Sequence, residues 1–393
     1  MSGAELRCHH LAAGLARHMD VVHLGFTRSG EQPCEAGGVR FFPVPRPHAY
    51  RPVDMLRGAI GPVPFPVRNY SRANMTAELE RLLDAQHFDI VQVESIHLAG
   101  YLPVLRRPSA RRRWIVCDWH NIESQLLAQH SRTAGGLRTT YIRRQASLLE
   151  RYERWFVDQC DAHLVVSEPD RDTLLRYGTR KPVLVVENGV SVQDFAEDCP
   201  AVGSNPRRRV LFVGSMDYYA NCDAVKYFAA EVWPEIHAHL PDLAFTIVGR
   251  NPPPEVRALA ASLGIEVTGS VPDVRPYYRE ALMAVVPLRV GGGTRLKILE
   301  AMAAGLPVIS TTLGAEGLSA VPGTHYLQAD TALAMRARIL EAAQGGGTIA
   351  RIASAGRELV KRSYDWQALS GSLAAQLLEW MAVGERPAAA ASA

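Results

Sequence analysis

The sequence lacks any run of apolar residues long enough to cross a membrane. A membrane-spanning helix needs about 20 consecutive apolar residues, and no segment of the 393 residues approaches that length. The first residues also lack the pattern of a secretory signal peptide. We therefore expect a cytoplasmic protein, with contact to the inner face of the cytoplasmic membrane as an open alternative.

Cysteine and lysine are both scarce. The six cysteines form no CxxC pair and no Cys/His spacing typical of a metal site, so we expect reduced thiols and no metal. Only four of the 43 basic residues are lysine, and one of them is Lys297. The net charge of +3 is too small to indicate nucleic-acid binding. No GxGxxG fingerprint of a dehydrogenase follows a predicted strand.

Length and periodicity predict two domains. Strand and helix patterns alternate through both halves of the chain, which favours two doubly wound α/β sheets facing across a cleft. A stretch rich in Pro, Gly and charge between them predicts a linker. The expected parts are an N-terminal domain over 1–190, a linker over 191–208, a C-terminal domain over 209–363, an amphipathic helix over 364–383 and a disordered tail over 384–393.

One segment of the C-terminal half, residues 281–311, carries the clearest functional pattern. A short apolar strand, Ala281–Leu288, is followed by a glycine turn and a helix that is apolar on most of its circumference. Thr294 is the predicted N-cap, and Gly305 with Pro307 predicts the end of the helix. The turn consists of Gly291, Gly292 and Gly293.

Three charged residues stand on this otherwise apolar helix. Arg295, Lys297 and Glu300 need partners if they are buried. One interpretation is that the open helix N-terminus, Arg295 and Lys297 hold a diphosphate while Glu300 accepts hydrogen bonds from sugar hydroxyls. The other is an ordinary Lys297–Glu300 pair at i,i+3 with Arg295 reaching solvent. Spacing alone does not choose between them.

The residues GGGTRLKILEAMAAGLPVIST, followed by GAEGL, resemble the donor-site segment of retaining glycosyltransferases of family 4, which have the GT-B fold. The resemblance implies that Glu300 binds the ribose of a nucleotide-sugar and that Arg295 and Lys297 neutralise its diphosphate. Many members carry a further Glu eight residues before the ribose-binding one, and Gly292 stands there in this chain. Contacts to the donor sugar therefore cannot be copied from the common pattern.

The resemblance implies further donor contacts in the C-terminal domain. Gly214 and Ser215 close its first strand, and Ser215 stands where relatives often have a basic residue. Arg250, after a later strand, is a second-rank phosphate or sugar contact, with a plain surface arginine as the alternative. The backbone near Val271 is expected to border the nucleobase. The resemblance also implies that the terminal helix, over 364–383, packs back on the N-terminal domain.

The N-terminal half offers His120, which follows the strand Trp114–Asp118 in the motif WHNIES. Ligands of open α/β sheets bind beyond the carboxyl ends of strands, and the motif resembles the first-domain histidine motif of these transferases. We therefore expect His120 to orient the donor sugar or the acceptor hydroxyl. A purely structural histidine is the alternative.

Other N-terminal features point in several directions. The chain opens on a helix, where relatives first have a strand and a glycine loop, so a first central strand is expected to be missing and the start residue to be set too late. The prolines within residues 43–68 predict neither regular helix nor central strand. The basic residues of 106–113 predict either a solvated face or contact with anionic lipid.

We therefore expect a retaining hexosyltransferase that moves sugar from a UDP- or GDP-sugar to a glycan or lipid-linked acceptor. It needs no cofactor beyond the donor, and its expected setting is bacterial envelope or exopolysaccharide synthesis. Two alternatives stay open at this point. One is an inactive nucleotide-sugar-binding scaffold, and the other is a sugar-nucleotide epimerase.

Overall fold

The structure is a computed structural model that describes residues 3–27, 31–46, 52–108, 112–133, 136–196, 208–291 and 295–384. The chain divides into two compact units. Unit 1 comprises Met1–Glu187 with Ser370–Ala393, and unit 2 comprises Asn188–Leu369. Among the described helices, none is both long and apolar enough to span a membrane.

Unit 1 alternates helices with short, mostly parallel strands. Its elements are α1 (Gly3–Leu15), β1 (Val21–Thr27), β2 (Cys34–Ala36), β3 (Val39–Pro45), α2 (Pro52–Ile60), α3 (Phe65–Tyr70), α4 (Ala73–Ala85), β4 (Ile90–Glu94), a 3₁₀ turn (Ile96–Tyr101), α5 (Leu102–Leu105), β5 (Trp114–Trp119), α6 (Glu123–Thr133), α7 (Gly136–Val157), β6 (Ala162–Val165), α8 (Glu168–Arg176) and β7 (Val183–Val185).

The strands of unit 1 form two separate sheets. One has the order β1-β3-β2, and the other is the parallel sheet β4-β5-β6-β7. Within the described residues no strand joins β1 to β4, and every residue of β1 is only half-buried, whereas β6 is fully buried. Among the described residues, β4 is therefore an edge strand of the parallel sheet, with β5 as its neighbour.

The prediction that residues 43–68 hold no regular helix is wrong. The structure places α2 and α3 there. Pro52 is the first residue of α2 and Pro66 the second of α3. A proline is tolerated in the first turn because its missing N–H would have no partner within the helix. The prolines therefore mark where these helices start.

Unit 2 contains one sheet flanked by helices. Its elements are α9 (Gln193–Ala196), β8 (Arg209–Val213), α10 (Tyr219–Tyr227), a π-helical turn (Phe228–Val232), α11 (Trp233–His239), β9 (Ala244–Val248), α12 (Pro254–Arg257), a 3₁₀ turn (Ala258–Ala261), β10 (Ile265–Gly269), α13 (Arg275–Arg279), β11 (Met283–Val286), α14 (Leu296–Ala303), β12 (Val308–Ser310), β13 (Leu327–Gln328), α15 (Ala332–Gln344) and α16 (Gly347–Ser363). The last helix, α17 (Trp366–Gly384), belongs to both units.

The sheet of unit 2 has the order β10-β9-β8-β11-β12-β13, and all its strand pairs are parallel. The strand order reverses between β8 and β11. In open α/β sheets this switch point creates a crevice beyond the carboxyl ends of the two strands, where ligands bind. The loops after β8 and β11 are therefore the places to examine for a site.

Helix α17 begins in unit 2 and ends in unit 1. In unit 1 its Trp380 stacks on Trp114 of β5, with ring centroids 6.4 Å apart and planes 9° from parallel. Stacked aromatic pairs of this kind add stability beyond the burial of their surface. The carboxyl-terminal part of α17 is thereby attached to the first residue of a central strand.

Candidate functional site

The switch point of unit 2 brings together the loop after β8, the start of α10 and the start of α14. Helix α14 is apolar and largely buried, as predicted, and its first residue is Leu296. Its buried side chains are Ile298, Leu299, Ala301, Met302 and Ala303. This packing fixes the helix against the sheet, so the charged side chains of its first turn are held at the carboxyl edge of β8.

Lys297 is the most perturbed charge of this cluster. Its Nζ donates a hydrogen bond of 2.5 Å to Asn221 Oδ1 and lies 4.4 Å from the ring centroid of Phe212. Burial, aided by the charge of Arg295, lowers the pKa of Lys297 to about 7. A strongly shifted lysine at a switch point is a functional-site candidate, since such shifts concentrate at binding and catalytic sites.

Gly214 makes room for this arrangement. A Cβ on Gly214 would lie 2.8 Å from Asn221 Nδ2 and 3.0 Å from Lys297 Nζ. The same amide nitrogen donates to the carbonyl of Ser215 at 2.7 Å. The loop after β8, the helix α10 and the helix α14 therefore meet at van der Waals distance.

Ser215 and Arg250 are brought together as neighbours on the loops after β8 and β9. Arg250 Nε donates to Ser215 Oγ at 3.1 Å and lies 3.2 Å from the carboxylate of Asp217. Hydrogen bonds from Ser215 and Asn251 lower the pKa of Asp217. Arg250 thus lies at the carboxyl edge of the sheet, but half of its side chain is exposed and it already has an acidic partner.

Arg295 is buried rather than directed into solvent, which rules out that part of the alternative interpretation. Its side chain is 5% exposed, and its guanidinium contacts the backbone carbonyl and the carboxylate of Glu316 at 3.2 and 3.3 Å. Burial lowers the pKa of Arg295, and the charge of Glu316 opposes this shift. The side chain of Glu316 is 65% exposed, so one partner of this ion pair is in contact with solvent.

Glu300 is hydrogen-bonded to Tyr278, whereas Lys297 is hydrogen-bonded to Asn221. The structure therefore does not contain the Lys297–Glu300 pair of the alternative interpretation. The hydroxyl of Tyr278 donates to Glu300 Oε2 at 2.8 Å. Burial raises the pKa of Glu300, and the hydrogen bond from Tyr278 and the charge of Lys297 partly offset this. The hydrogen bond from Tyr278 thus fixes Oε2 of Glu300, and this also fixes the orientation of Oε1.

The remaining predicted donor contacts fall into two groups. Gly291 has φ of +94°, and a Cβ there would lie 2.4 Å from the hydroxyl of Tyr218, so the chain requires glycine at this point. Val271 follows β10 and packs partly buried against the core of unit 2. The other three, Gly292, Gly293 and Thr294, lie outside the described residues.

Unit 1 has its own polar cluster at the carboxyl ends of β4 and β5. Asp118 is fully buried and forms a bidentate ion pair with Arg7, at 2.8 and 2.9 Å. Arg7 also donates to the carbonyl of Val186 at 2.8 Å. Burial raises the pKa of Asp118, and the charge of Arg7 opposes this. The pair anchors α1 to the sheet.

His120 lies two residues beyond Asp118, next to Glu94 at the end of the adjacent strand. Its Nε2 lies 2.7 Å from Glu94 Oε2, and Cys8 Sγ lies 3.4 Å from the same oxygen. Burial lowers the pKa of His120, but the hydrogen bond and charge of Glu94, together with Asp118, outweigh it and raise the pKa overall. His120 therefore has a carboxylate partner, as a general base or an orienting group requires.

The basic residues of 106–113 that the structure describes have internal partners. Arg107 pairs with Glu80, and Arg106 and Arg112 both approach Asp161. Arg113 donates to the carbonyl of Leu105. These contacts agree with the interpretation as a solvated face, although Glu80 and Asp161 offset only part of the charge of the four arginines.

Several residues of both clusters were not predicted from sequence. In unit 2 these are Asn221, Tyr278 and Glu316, and in unit 1 Arg7 and Cys8. Asn221 had one usable signal, because it lies in the first turn of the helix that follows β8 and Gly214. The others lie on helices or in a loop, and their partners are distant in sequence.

Two units with parallel α/β sheets, one carrying a cationic cluster at its switch point, define the GT-B class of fold. The solved structures agree with this prediction. The chain matches a sucrose-phosphate synthase from Thermosynechococcus elongatus with a TM-score of 0.70 at 16% identity, over 97% of this chain and 94% of that one. It matches the Anabaena protein HepE, solved in complex with UDP and glucose, with a TM-score of 0.63 at 13% identity, over 96% of both chains.

The sequence comparisons give the family. Residues 1–194 match the model described as Glycosyltransferase Family 4, and residues 207–344 match the model described as Glycosyl transferases group 1. The chain belongs to glycosyltransferase family 4, as the donor-site motif predicted. It is 31% identical to a phosphatidyl-myo-inositol mannosyltransferase of Mycolicibacterium smegmatis over 196 residues. That match spans 48% of this chain and 50% of the relative.

Proposed function

We propose that this protein transfers a sugar from a nucleoside diphosphate sugar to an acceptor hydroxyl, with retention of configuration at the anomeric carbon. The observation that carries the proposal is the position of Lys297. It lies at the switch point of the unit 2 sheet, hydrogen-bonded to Asn221, in the first turn of a helix, where backbone N–H groups and the helix dipole favour anions. A diphosphate is the ligand that such a cation and helix start favour.

We assign each part of the donor to different residues around Lys297. Arg295 supplies a second cation once its exposed partner Glu316 is exchanged for phosphate. Glu300, oriented by Tyr278, accepts hydrogen bonds from the ribose hydroxyls. Gly214, Ser215 and Arg250 line the loops after β8 and β9, and the backbone near Val271 borders the base. Gly291, with Gly292, Gly293 and Thr294, lets the diphosphate approach the main chain.

In the reaction, the bond between the anomeric carbon and the diphosphate oxygen breaks while a bond to the acceptor oxygen forms on the same face. The acceptor proton goes to the departing phosphate. Lys297 and Arg295 stabilise the negative charge that develops on the leaving group, which is commonly the largest single contribution to such catalysis. His120 orients the donor sugar or the acceptor hydroxyl, with Glu94 holding its imidazole.

Two relatives support the proposed donor and acceptor classes. HepE was solved with UDP and glucose, and the mycobacterial relative is a phosphatidyl-myo-inositol mannosyltransferase. A UDP- or GDP-hexose is therefore the proposed donor, and a lipid-linked or glycan hydroxyl in envelope or exopolysaccharide synthesis is the proposed acceptor. A lipid-linked acceptor would bring the protein to the inner face of the cytoplasmic membrane.

The proposal is tested in two stages. A thermal-shift screen compares UDP and GDP with their monophosphates. One diphosphate should raise the melting temperature selectively, because a ligand at 100 times its Kd stabilises the native state by about 2.7 kcal/mol. The matching nucleotide-sugars are then incubated with phosphatidylinositol vesicles, and the anomeric configuration of the product is determined by NMR.

Each outcome has a definite meaning. Transfer with retention supports the proposal, and an inverted product contradicts the retaining mechanism. Donor binding without turnover on any acceptor would identify a scaffold. Conversion of the donor sugar without acceptor, seen by chromatography, would identify an epimerase.

A further inference from the structure

The cluster of Cys8, Glu94 and His120 in unit 1 has the composition of a metal site. Cys8 lies on α1, Glu94 is the last residue of β4, and His120 directly follows β5. One ligand atom of each lies within 4.8 Å of the others. Sequence spacing did not indicate this site, because the three residues are separated by 86 and 26 positions.

We propose that Cys8 Sγ, Glu94 Oε2 and His120 Nε2 bind one Zn²⁺ ion, with a fourth position open to water. A thiolate, an imidazole and a carboxylate together are typical zinc ligands. Magnesium and calcium prefer oxygen ligands alone, so the cysteine and histidine disfavour them.

The distances are close to those of a tetrahedral site. Bonds of about 2.3 Å to sulfur and about 2.0–2.2 Å to nitrogen and oxygen place ligand atoms about 3.4–3.6 Å apart. Cys8 Sγ is 3.4 Å from Glu94 Oε2 and 3.9 Å from His120 Nε2. The Cys8–His120 separation must therefore shorten by a few tenths of an ångström. The Glu94–His120 separation, at 2.7 Å, must widen when the ion replaces the hydrogen bond between them.

The surroundings are those of an organised site. Gln92 Nε2 donates to Glu94 Oε1 at 2.8 Å, which leaves Oε2 directed at the proposed ion, and such outer hydrogen bonds orient metal ligands. Asp118 lies 4.0 Å from His120 Nε2. Its carboxylate is engaged by Arg7 at both oxygens, so Asp118 is not counted as a ligand.

The charges also balance. Arg7 and Asp118 neutralise each other, which leaves the carboxylate of Glu94. A Zn²⁺ ion with Glu94 and the thiolate of Cys8 adds to zero net charge. Binding releases the thiol proton to solvent, and the imidazole coordinates in its neutral form.

The first test is zinc affinity, measured by competition with a chromogenic chelator at neutral pH on the full chain. The wild-type protein should bind one zinc ion. Cys8→Ser should weaken the affinity at least about 100-fold, since even an outer-shell partner contributes 10- to 100-fold. Cys34→Ser, which removes an exposed thiol, is the matched control and should bind as the wild type does. Equal affinity for the Cys8 variant and the wild type overturns the proposal.

The second test identifies the ligands. Co²⁺ in the site should give the near-ultraviolet absorption of thiolate-to-metal charge transfer and the intense visible bands of tetrahedral cobalt. Both should be lost in Cys8→Ser and kept in Cys34→Ser. If Cys8→Ser fails to fold, Glu94→Gln, which keeps the shape and the contact to Gln92, takes its place and should also weaken zinc binding. If the wild-type protein shows no thiolate-to-Co²⁺ band, the three residues form only a hydrogen-bonded cluster and the proposal is overturned. These readouts do not depend on sugar transfer.

Discussion

Lys297 donates a 2.5 Å hydrogen bond to Asn221, and this bond joins the first turns of the helices that follow β11 and β8. The two strands flank the switch point of the unit 2 sheet. The side chain of Lys297 also lies over the ring of Phe212. The contact therefore places a partly desolvated cation where the diphosphate of a nucleotide is expected to bind.

Gly214→Ala should weaken diphosphate binding. A Cβ at this position would lie 2.8 Å from Asn221 Nδ2 and 3.0 Å from Lys297 Nζ, so the ammonium must move from its position. We expect a loss of about tenfold or more in affinity for UDP or GDP, measured by calorimetric titration, with little change in the far-ultraviolet spectrum. Gly347→Ala is the control, because a Cβ on Gly347 has no heavy atom within 4 Å. Equal losses in both variants would show that the effect is not local.

Diphosphate affinity should depend on the protonation of Lys297. Its pKa of about 7 in the free protein means that the ammonium loses its proton as the pH rises above neutrality, whereas a bound diphosphate favours the charged form. Affinity should therefore fall by up to about tenfold per pH unit above pH 7. Titrations at several pH values measure the slope. Lys297→Arg keeps its charge and should flatten the profile, and a wild-type profile as flat as the arginine variant's would contradict the assignment.

Glu300→Ala should separate ribose binding from phosphate binding. If Glu300 contacts the ribose, the variant loses affinity for UDP or GDP but not for inorganic pyrophosphate. Tyr278→Phe removes one hydrogen bond to Glu300, a loss of about 0.5–1.5 kcal/mol or roughly two- to tenfold in affinity. Equal weakening of pyrophosphate and nucleotide would place Glu300 at the phosphates instead.

Arg7→Met should destabilise unit 1 strongly. It leaves Asp118 buried without its bidentate partner, and breaking one side of a buried ion pair costs about 3–5 kcal/mol. Chemical denaturation followed by circular dichroism measures this. The double variant Arg7→Met/Asp118→Leu should recover much of the loss, since it removes the uncompensated charge. A double variant as unstable as the single one would show that packing, rather than charge, decides the stability.

The sequence predicted the order of strands and helices well because apolar runs, glycine turns and prolines are local signals. The strand Trp114–Trp119, the helix Leu296–Ala303 and the family motif were all found in this way. The helices Pro52–Ile60 and Phe65–Tyr70 were not predicted, because a high proline content does not reveal which prolines fall in a first turn, where they are tolerated.

Side-chain partnerships were the part that sequence could not give. Lys297 and Glu300 stand three positions apart, a spacing at which helical residues of opposite charge can form an ion pair. In the structure Lys297 instead contacts Asn221, and Glu300 contacts Tyr278. Arg7 carries no sequence signal of a partner, yet it lies buried and forms an ion pair with Asp118. Such contacts join residues 22 to 111 positions apart, and local patterns carry no information over those distances.

The most direct test of the account is Lys297→Ala, assayed for sugar transfer and for diphosphate affinity beside Lys226→Ala, which removes an exposed lysine of the same unit. Loss of one preorganised charge contact typically lowers turnover about a hundredfold. We expect that loss, with weakened diphosphate binding, for Lys297→Ala and wild-type behaviour for Lys226→Ala. Unchanged turnover and affinity in Lys297→Ala would contradict the central claim that this lysine holds the leaving diphosphate.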